Sequence, residues 1–325
     1  MSGPAPAAGV GVSPAAGAPA GASRRVVLHE VGFRDGLQME HDVVPTAKKL
    51  EWIRALLETG VDVVQVGSFV HPAKVPQMAD TDRLFAELGR VEGATLSALV
   101  LNERGLERAQ AAGVPMLCMG VSASETHSRK NTGMGMTEAT ERILAMARRA
   151  QDAGMTVQVS VQSAFGCGYE GVVPEERVLF LVGRFLEAGL TNLSLADTAG
   201  HAVPDQVQRL YEAVLAVAPR ATVACHFHNT YGLALANTWA AMRSGAASVE
   251  SSVAGLGGCP FTKIAGGNTC TEDLVHMLQR SGLRTEVRLD RLIAVARDLG
   301  RYFGRELPGT VYRTGTIAVA AEARP

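Results

Sequence analysis

Long apolar runs are missing from this sequence: none approaches the roughly 20 residues that a bilayer span requires, so no membrane partner is expected. Charge imbalance is missing too. The 31 Lys and Arg stand against 32 Asp and Glu, and a net charge of −1 argues against nucleic acid or an anionic lipid surface as a ligand. Cysteine is scarce: Cys118, Cys167, Cys225, Cys259 and Cys270 are odd in number and form no C-x-x-C pair. That usage fits neither a disulfide framework nor a zinc ribbon and suits a reducing compartment, so a cytoplasmic location is expected. Charge is absent altogether from residues 1–23, which are mostly Ala, Gly, Pro and Ser. Such a stretch has little to bury and is expected to be disordered. Without a positive n-region it does not read as a secretory signal. We set residues 1–24 aside as a tail and expect one folded domain over residues 25–325.

What remains is rich in core formers, with 47% hydrophobic residues. From Val26 onward short apolar runs alternate with amphipathic ones. Strands are expected at 26–30, 61–66, 95–100, 115–121, 156–162, 192–195, 222–226 and 248–253. Helices are expected at 46–58, 81–88, 103–112, 137–153, 174–188, 204–217 and 233–244, then from Thr271 and over 288–302 as a C-terminal helical extension. Gly60, Gly113, Gly154, Gly189 and Gly245 sit where these helices should stop. Thr137 and Thr271 read as N-caps. The strands lack clean alternation, as parallel strands covered on both faces should. Eight βα units in about 250 residues predict an α/β TIM barrel. The alternative, a doubly wound open sheet, would want a Gly-rich phosphate turn after its first strand, and this chain has FRDGLQ there.

The densest chemistry lies between Cys225 and Leu274. His226 and His228, at i and i+2 on a strand, point to the same side. Asn268 arrives later in a Gly-rich stretch, with Cys259 between. Two imidazoles and an amide oxygen suit a divalent cation of the Mg²⁺ or Mn²⁺ type better than a closed zinc site. Taken singly, each piece is ordinary: an H-x-H pair is more often two half-buried histidines, and a lone Cys is usually a small hydrophobe. Their placement outweighs that. In a barrel the active site lies at the C-terminal ends of the strands. There fall Arg34 and Asp35 after the first strand, Gln65 and Ser68 on the second, and Gln162 and Ser163 on the fifth. Asp197 follows the sixth, His226 and His228 the seventh, and Cys259 and Asn268 the eighth. The basic pair Arg129 and Lys130 reads as part of a solvated loop after the fourth strand.

The segments EVGFRDGLQME (30–40), SFVHPAKVPQMAD (68–80), SLADTAG (194–200), HFHNTYGLALANT (226–238) and SSVAGLGGCPFTKIAGGNTCTEDL (251–274) resemble the 3-hydroxy-3-methylglutaryl-CoA lyase family, within the DRE-TIM metallolyase group of barrels. The resemblance covers Val26 to about Ser281. It implies a metal-dependent carbon–carbon lyase acting on an acyl-CoA thioester, releasing acetyl-CoA and acetoacetate, as in leucine degradation. It implies Asp35, His226, His228 and Asn268 as metal ligands, Arg34 facing the enolate oxygen and Cys259 in proton transfer. Asp197 would be a further active-site carboxylate, with Gln65 and Ser68 near the substrate and Glu30 and Glu272 in support. Either Asp35 or His226 would take the hydroxyl proton. Two positions depart from the pattern: Gln65 stands where the family carries Glu, and His41 where Lys is typical. The first would retune the pKa of its neighbours or mark a sibling specificity, citramalyl-CoA for example. Condensing synthases share the Arg-Asp and H-x-H, but they carry Glu-Arg where this chain has GLGGCP and continue into a regulatory domain, whereas this sequence stops at residue 325. A barrel that binds a CoA ester without catalysis is the other alternative, and metal analysis separates it from both enzymes. A homodimer is expected on no residue-level signal.

Overall fold

The computed structural model describes residues 25–258 and 266–317. The tail read as disordered, residues 318–325 and Cys259 all lie outside the described residues. Eight parallel strands close on themselves in sequence order: β1 (Val27–Glu30), β2 (Val63–Ser68), β3 (Thr95–Leu99), β4 (Met116–Ser122), β5 (Thr156–Gln162), β6 (Asn192–Asp197), β7 (Thr222–Phe227) and β8 (Ser248–Ser251). The fold is the expected TIM barrel, and the closure of β8 onto β1 rules out the open doubly wound sheet.

Around it run α1 (Thr46–Leu57), α2 (Thr81–Leu88), α3 (Glu103–Ala111), α4 (Glu125–Thr132), α5 (Met136–Asp152), α6 (Glu175–Glu187), α7 (Pro204–Val217), α8 (Ala234–Arg243) and α9 (Thr271–Arg280). Then come α10 (Leu289–Phe303) and the short α11 (Val311–Thr314). Gly154 and Gly189 end α5 and α6 with φ of +78° and +75°, a region that costs a side chain but not glycine. The main core lies between the barrel and its helices. On α1, Trp52, Ile53 and Leu56 are buried there, each contributing about 1.5–3 kcal/mol by burial. Trp52 also donates its indole N–H to Asp298 Oδ2 (2.7 Å), tying α1 to α10. At the N-terminal end of the barrel, buried Arg284 bonds Asp62 Oδ2 and the carbonyl of Val26, both at 2.7 Å. No helix of the described residues is long and apolar enough to cross a membrane.

Three local expectations are corrected. Arg129 and Lys130 lie on α4, not in a loop: Ser124 caps that helix by accepting from His127 N, Arg129 pairs with Glu125 (2.7 Å), and Lys130 stands over the Tyr169 ring. α5 begins one residue before Thr137, with Gly135 at its N-cap and no side-chain cap. Cys270, not Thr271, is the N-cap of α9, and the Thr271 hydroxyl donates instead to Glu30 Oε2 (2.5 Å).

Candidate active site

The site is assembled at the C-terminal end of the barrel by strand register and one close backbone approach. After β1 the chain makes a π-helical turn over Gly32–Gly36, which sets Arg34 and Asp35 over the barrel mouth. At the end of β7, His228 forms a bridge with Asn268, and Asn229 N donates to Gly267 O at 2.8 Å. Only glycine permits that approach: a Cβ on Gly266 would lie 2.2 Å from Thr230 Cα.

Asp35, His226 and His228 converge. Asp35 Oδ2 lies 3.8 Å from His226 Nε2 and 3.6 Å from His228 Nε2, and one ligand atom from each residue falls within 4.8 Å of the others. All three are buried. Burial pushes the Asp35 carboxyl up, but Arg34 and the two imidazoles outweigh it and hold the group well below the usual carboxylate range. Burial lowers the His228 pKa, and Asp35 more than reverses that. The donors are one carboxylate and two imidazoles, with no thiolate. Asn268 is buried beside them. Its Nδ2 donates to Asp35 Oδ2 and to Leu256 O, each at 2.9 Å, while Oδ1 has no hydrogen-bond partner among the described residues. A turn of that amide would present the orphaned oxygen to the same point. This donor set fits a divalent cation.

Both histidines are held from behind through Nδ1, which leaves Nε2 facing Asp35. His228 Nδ1 donates to the backbone carbonyl of Asp197 (3.0 Å). His226 Nδ1 meets Glu250 Oε2 (3.0 Å), on the neighbouring strand at the same level. Burial works against an ionised Glu250, but the His226 contact outweighs it and brings its pKa to about 2. Orientation of a metal-binding imidazole by an acceptor on its other nitrogen is a general device. Glu250 was not anticipated, although a charged residue inside the apolar run SVESSV was a usable signal.

Arg34 donates from Nη1 to Asp35 Oδ1 and from Nε to Gln65 Oε1. One acceptor oxygen at position 65 is all this geometry uses, so an amide holds Arg34 as a carboxylate would.

Of the remaining predicted residues, several sit behind the site rather than in it. The Asp197 carboxylate is turned away, accepting from His201 N (2.9 Å) and Ala202 N (3.0 Å); its hydrogen bond to the site is made by its backbone carbonyl, and its charge acts on His228. Ser68 donates to Leu99 O (3.3 Å) and does not line the cavity described below. Glu30 accepts from Gly32 N (2.7 Å), Val253 N (2.9 Å) and Thr271, and Glu272 accepts from Ala254 N (3.0 Å). The two acids thereby brace the turn at Val253–Gly255, where Ala254 has φ +58°. Burial raises their pKa values to about 7 and about 8. His41 is exposed on Asp42, away from the site. Cys259 is outside the described residues, but its neighbour Gly258 lines the cavity.

That cavity, about 580 Å³, opens at the rim among Gln38, Lys74 and Asn131, passes Arg34, Asp35, His226 and His228, and continues into the barrel.

The comparisons with known proteins agree with this geometry. Residues 25–299 match the model of the HMGL-like family. The chain is similar to the hydroxymethylglutaryl-CoA lyase YngG of Bacillus subtilis, 40% identical over 285 residues that make up 88% of this chain and 95% of that protein. It is also similar to the hydroxymethylglutaryl-CoA lyase of Pseudomonas mevalonii, 38% identical over 92% of this chain and 98% of that one. Among solved structures, an HMG-CoA lyase from Acinetobacter baumannii in complex with coenzyme A and 3-methylmalate superposes with a TM-score of 0.87. It is 36% identical, covering 94% of this chain and 99% of that one. On a match of this extent, the chain belongs to the HMGL-like family.

Proposed function

We propose that this protein is a divalent-cation-dependent carbon–carbon lyase that splits 3-hydroxy-3-methylglutaryl-CoA into acetyl-CoA and acetoacetate. The observation that carries the reading is the meeting of Arg34, Asp35, His226 and His228 within one cavity, in a chain whose full-length relatives are hydroxymethylglutaryl-CoA lyases. The cleavage requires loss of the C3 hydroxyl proton, rupture of the bond between C2 and C3, and protonation of the thioester enolate that leaves.

Asp35, His226, His228 and Asn268 would hold the cation, Mg²⁺ or Mn²⁺ by the hardness of the donors. When bound, it supplies Lewis acidity that lowers the pKa of a coordinated hydroxyl. With Nδ1 of His226 committed to Glu250, the Nε2 lone pair can serve a cation or a proton, but not both. We give it to the cation, a reading supported by its approach to Asp35 and His228. A carboxylate oxygen, unlike an imidazole nitrogen, has a second lone pair, so Asp35 can serve both as a ligand and as the acceptor of the hydroxyl proton, its Oδ2 facing the point where the donors meet. Arg34, fixed by Asp35 and Gln65, keeps its charge at any working pH and meets the enolate oxygen as charge develops there. Cys259, next to cavity-lining Gly258, returns a proton to the enolate carbon. Gln65 leaves this machinery intact, because its oxygen still positions Arg34. The test is acetyl-CoA release from 3-hydroxy-3-methylglutaryl-CoA by metal-stripped protein, with and without added Mg²⁺. Release that depends on the metal is expected, and no release in either condition overturns the reading.

A further inference from the structure

The cavity does not stop at the cation-holding residues, and its inner end is largely carbon. Leu99 on β3, Cys118 on β4 and Gln158 on β5 are register neighbours that line it at one level. Gln158 precedes Gln162 by four residues, so this row lies about 13 Å along the strand from the mouth. Cys118 packs there with Val63 and Met116 in a buried apolar cluster, and Leu99 rests against it. A TIM barrel at that depth is normally filled by layers of Val, Ile and Leu. Here Gly120 on β4, Ser160 on β5 and Ala196 on β6, nearer the mouth, are small, and the space stays open. Leu99 and Leu101 are only partly buried, although they stand on β3 and just beyond it, because they face this space. Apolar surface left open inside a cavity is surface that a ligand's carbon can cover, with a gain of about fourfold in affinity per buried methylene.

Polar side chains at this depth already have partners. Cys118 Sγ donates to Gln158 Oε1 (3.5 Å), and His29 shares a hydrogen bond with Ser97 Oγ (2.9 Å). In a 3-hydroxyglutaryl thioester, the hydroxyl and the free carboxylate belong with Arg34 and the cation-holding donors. CoA, too large for the barrel, leads out at the rim between Gln38, Lys74 and Asn131. A carboxylate carried inward to Leu99 and Cys118 would lose its water and find no cation to replace it. The branch left to point inward is the C3 substituent.

We infer that the inner end of the cavity is a pocket for that substituent, and that the enzyme takes 3-hydroxyglutaryl-CoA thioesters whose C3 carries an aliphatic chain longer than methyl. This rests on the lyase reading and names its substrate class. Ser160 keeps the pocket open, and Leu99 with Cys118 forms its apolar floor.

The test compares three thioesters: hydroxymethylglutaryl-CoA, its homologue with n-butyl in place of the C3 methyl, and the homologue with 3-hydroxypropyl there, which matches butyl in length but ends in a hydroxyl. Each is assayed on the native protein and on Ser160→Leu, which plugs the pocket, with Cys118→Met as a second plug should the first not fold. The expected kcat/KM for the butyl compound equals or exceeds that for the methyl compound. The hydroxypropyl compound should fall at least about fivefold below butyl, because its hydroxyl gives up water for a mostly apolar wall. Plugging should lower the butyl-to-methyl ratio by at least about tenfold. A butyl compound cleaved less well than the methyl one, a hydroxypropyl compound cleaved as well as butyl, or a ratio that the plugs do not move each overturns the pocket and leaves the lyase reading standing. If none of the three is cleaved, the lyase reading falls. Calorimetry of free 3-butyl-3-hydroxyglutarate against 3-hydroxy-3-methylglutarate, on native and plugged protein, then decides the pocket. Tighter binding of the butyl acid that the plug abolishes supports it, and equal, weaker or absent binding, or a difference that survives the plug, overturns it.

Discussion

Arg34→Lys keeps the charge and removes the geometry. The guanidinium has five N–H donors in one plane. Two of its nitrogens are bound within the scaffold, Nη1 to Asp35 and Nε to Gln65, and that pair of bonds fixes the plane over the cavity. A lysine ammonium is a single point at the end of four methylenes. If it serves Asp35 it leaves Gln65 Oε1, a 1%-exposed residue, without its donor. A charge-assisted hydrogen bond of this kind contributes about 1.5–3 kcal/mol. Removal of one preorganised stabiliser of transition-state charge costs about 10²–10³ in rate, or roughly 2.7–4 kcal/mol at 1.36 kcal/mol per tenfold. We therefore expect kcat for acetyl-CoA release to fall by about a hundredfold or more, with KM changed by no more than a few-fold. The donors of the cation site are not replaced, so Mn²⁺ titration followed by electron paramagnetic resonance should give near-native affinity. Initial rates over a range of thioester concentration separate the two parameters. A near-native kcat for Arg34→Lys would show that the planar fork does nothing in the reaction. A large loss accompanied by lost Mn²⁺ binding would show that Arg34 acts only by shaping the cation site.

Four further outcomes are expected. Chelation should abolish activity and Mg²⁺ or Mn²⁺ should restore it, while His228→Ala should raise the metal concentration needed by at least about tenfold; full activity in rigorously stripped protein would end the cation assignment. Glu250→Gln should weaken Mn²⁺ binding by about tenfold to a hundredfold, the scale for groups that orient a metal-binding imidazole, and unchanged affinity would reduce Glu250 to a structural role. Cys259→Ala should bind the metal normally yet turn over at a small fraction of the native rate, and native turnover would make the thiol a bystander. Glu272, whose pKa is raised by burial to about 8, contributes stability that is complete below its unfolded value near 4.5 and is lost as pH rises through 8. Glu272→Gln keeps an acceptor for Ala254 N, so its melting temperature should fall less between pH 6 and pH 9 than the native protein's, and parallel curves would refute the shift.

The barrel was legible because its signals are local and repeated: apolar runs of strand length, glycines at helix ends, and eight units in succession. α4 was not, because ETHSRKNT is short and has no apolar stripe; its capping serine and the tertiary contact of Lys130 with Tyr169 are what define it. The same division runs through the site. Arg34-Asp35 and His226-x-His228 stand out because an unusual residue type falls at a strand end. Glu250 and the Asp197 carbonyl did not stand out, for two different reasons. A backbone carbonyl has no residue signature, and the Asp197 side chain that drew attention is engaged elsewhere. Glu250 is chosen by register. In a parallel barrel, inward residues at one level on adjacent strands are neighbours whatever their separation in sequence. His29, Glu250 and His226 form such a row across β1, β8 and β7. Once His226 is taken as a ligand and the strands are numbered, the residue that must orient it is therefore the inward polar group on the next strand at its own height. That rule selects Glu250 and passes over Asp197, Ser68 and Glu272, the more conspicuous polar residues in the sequence.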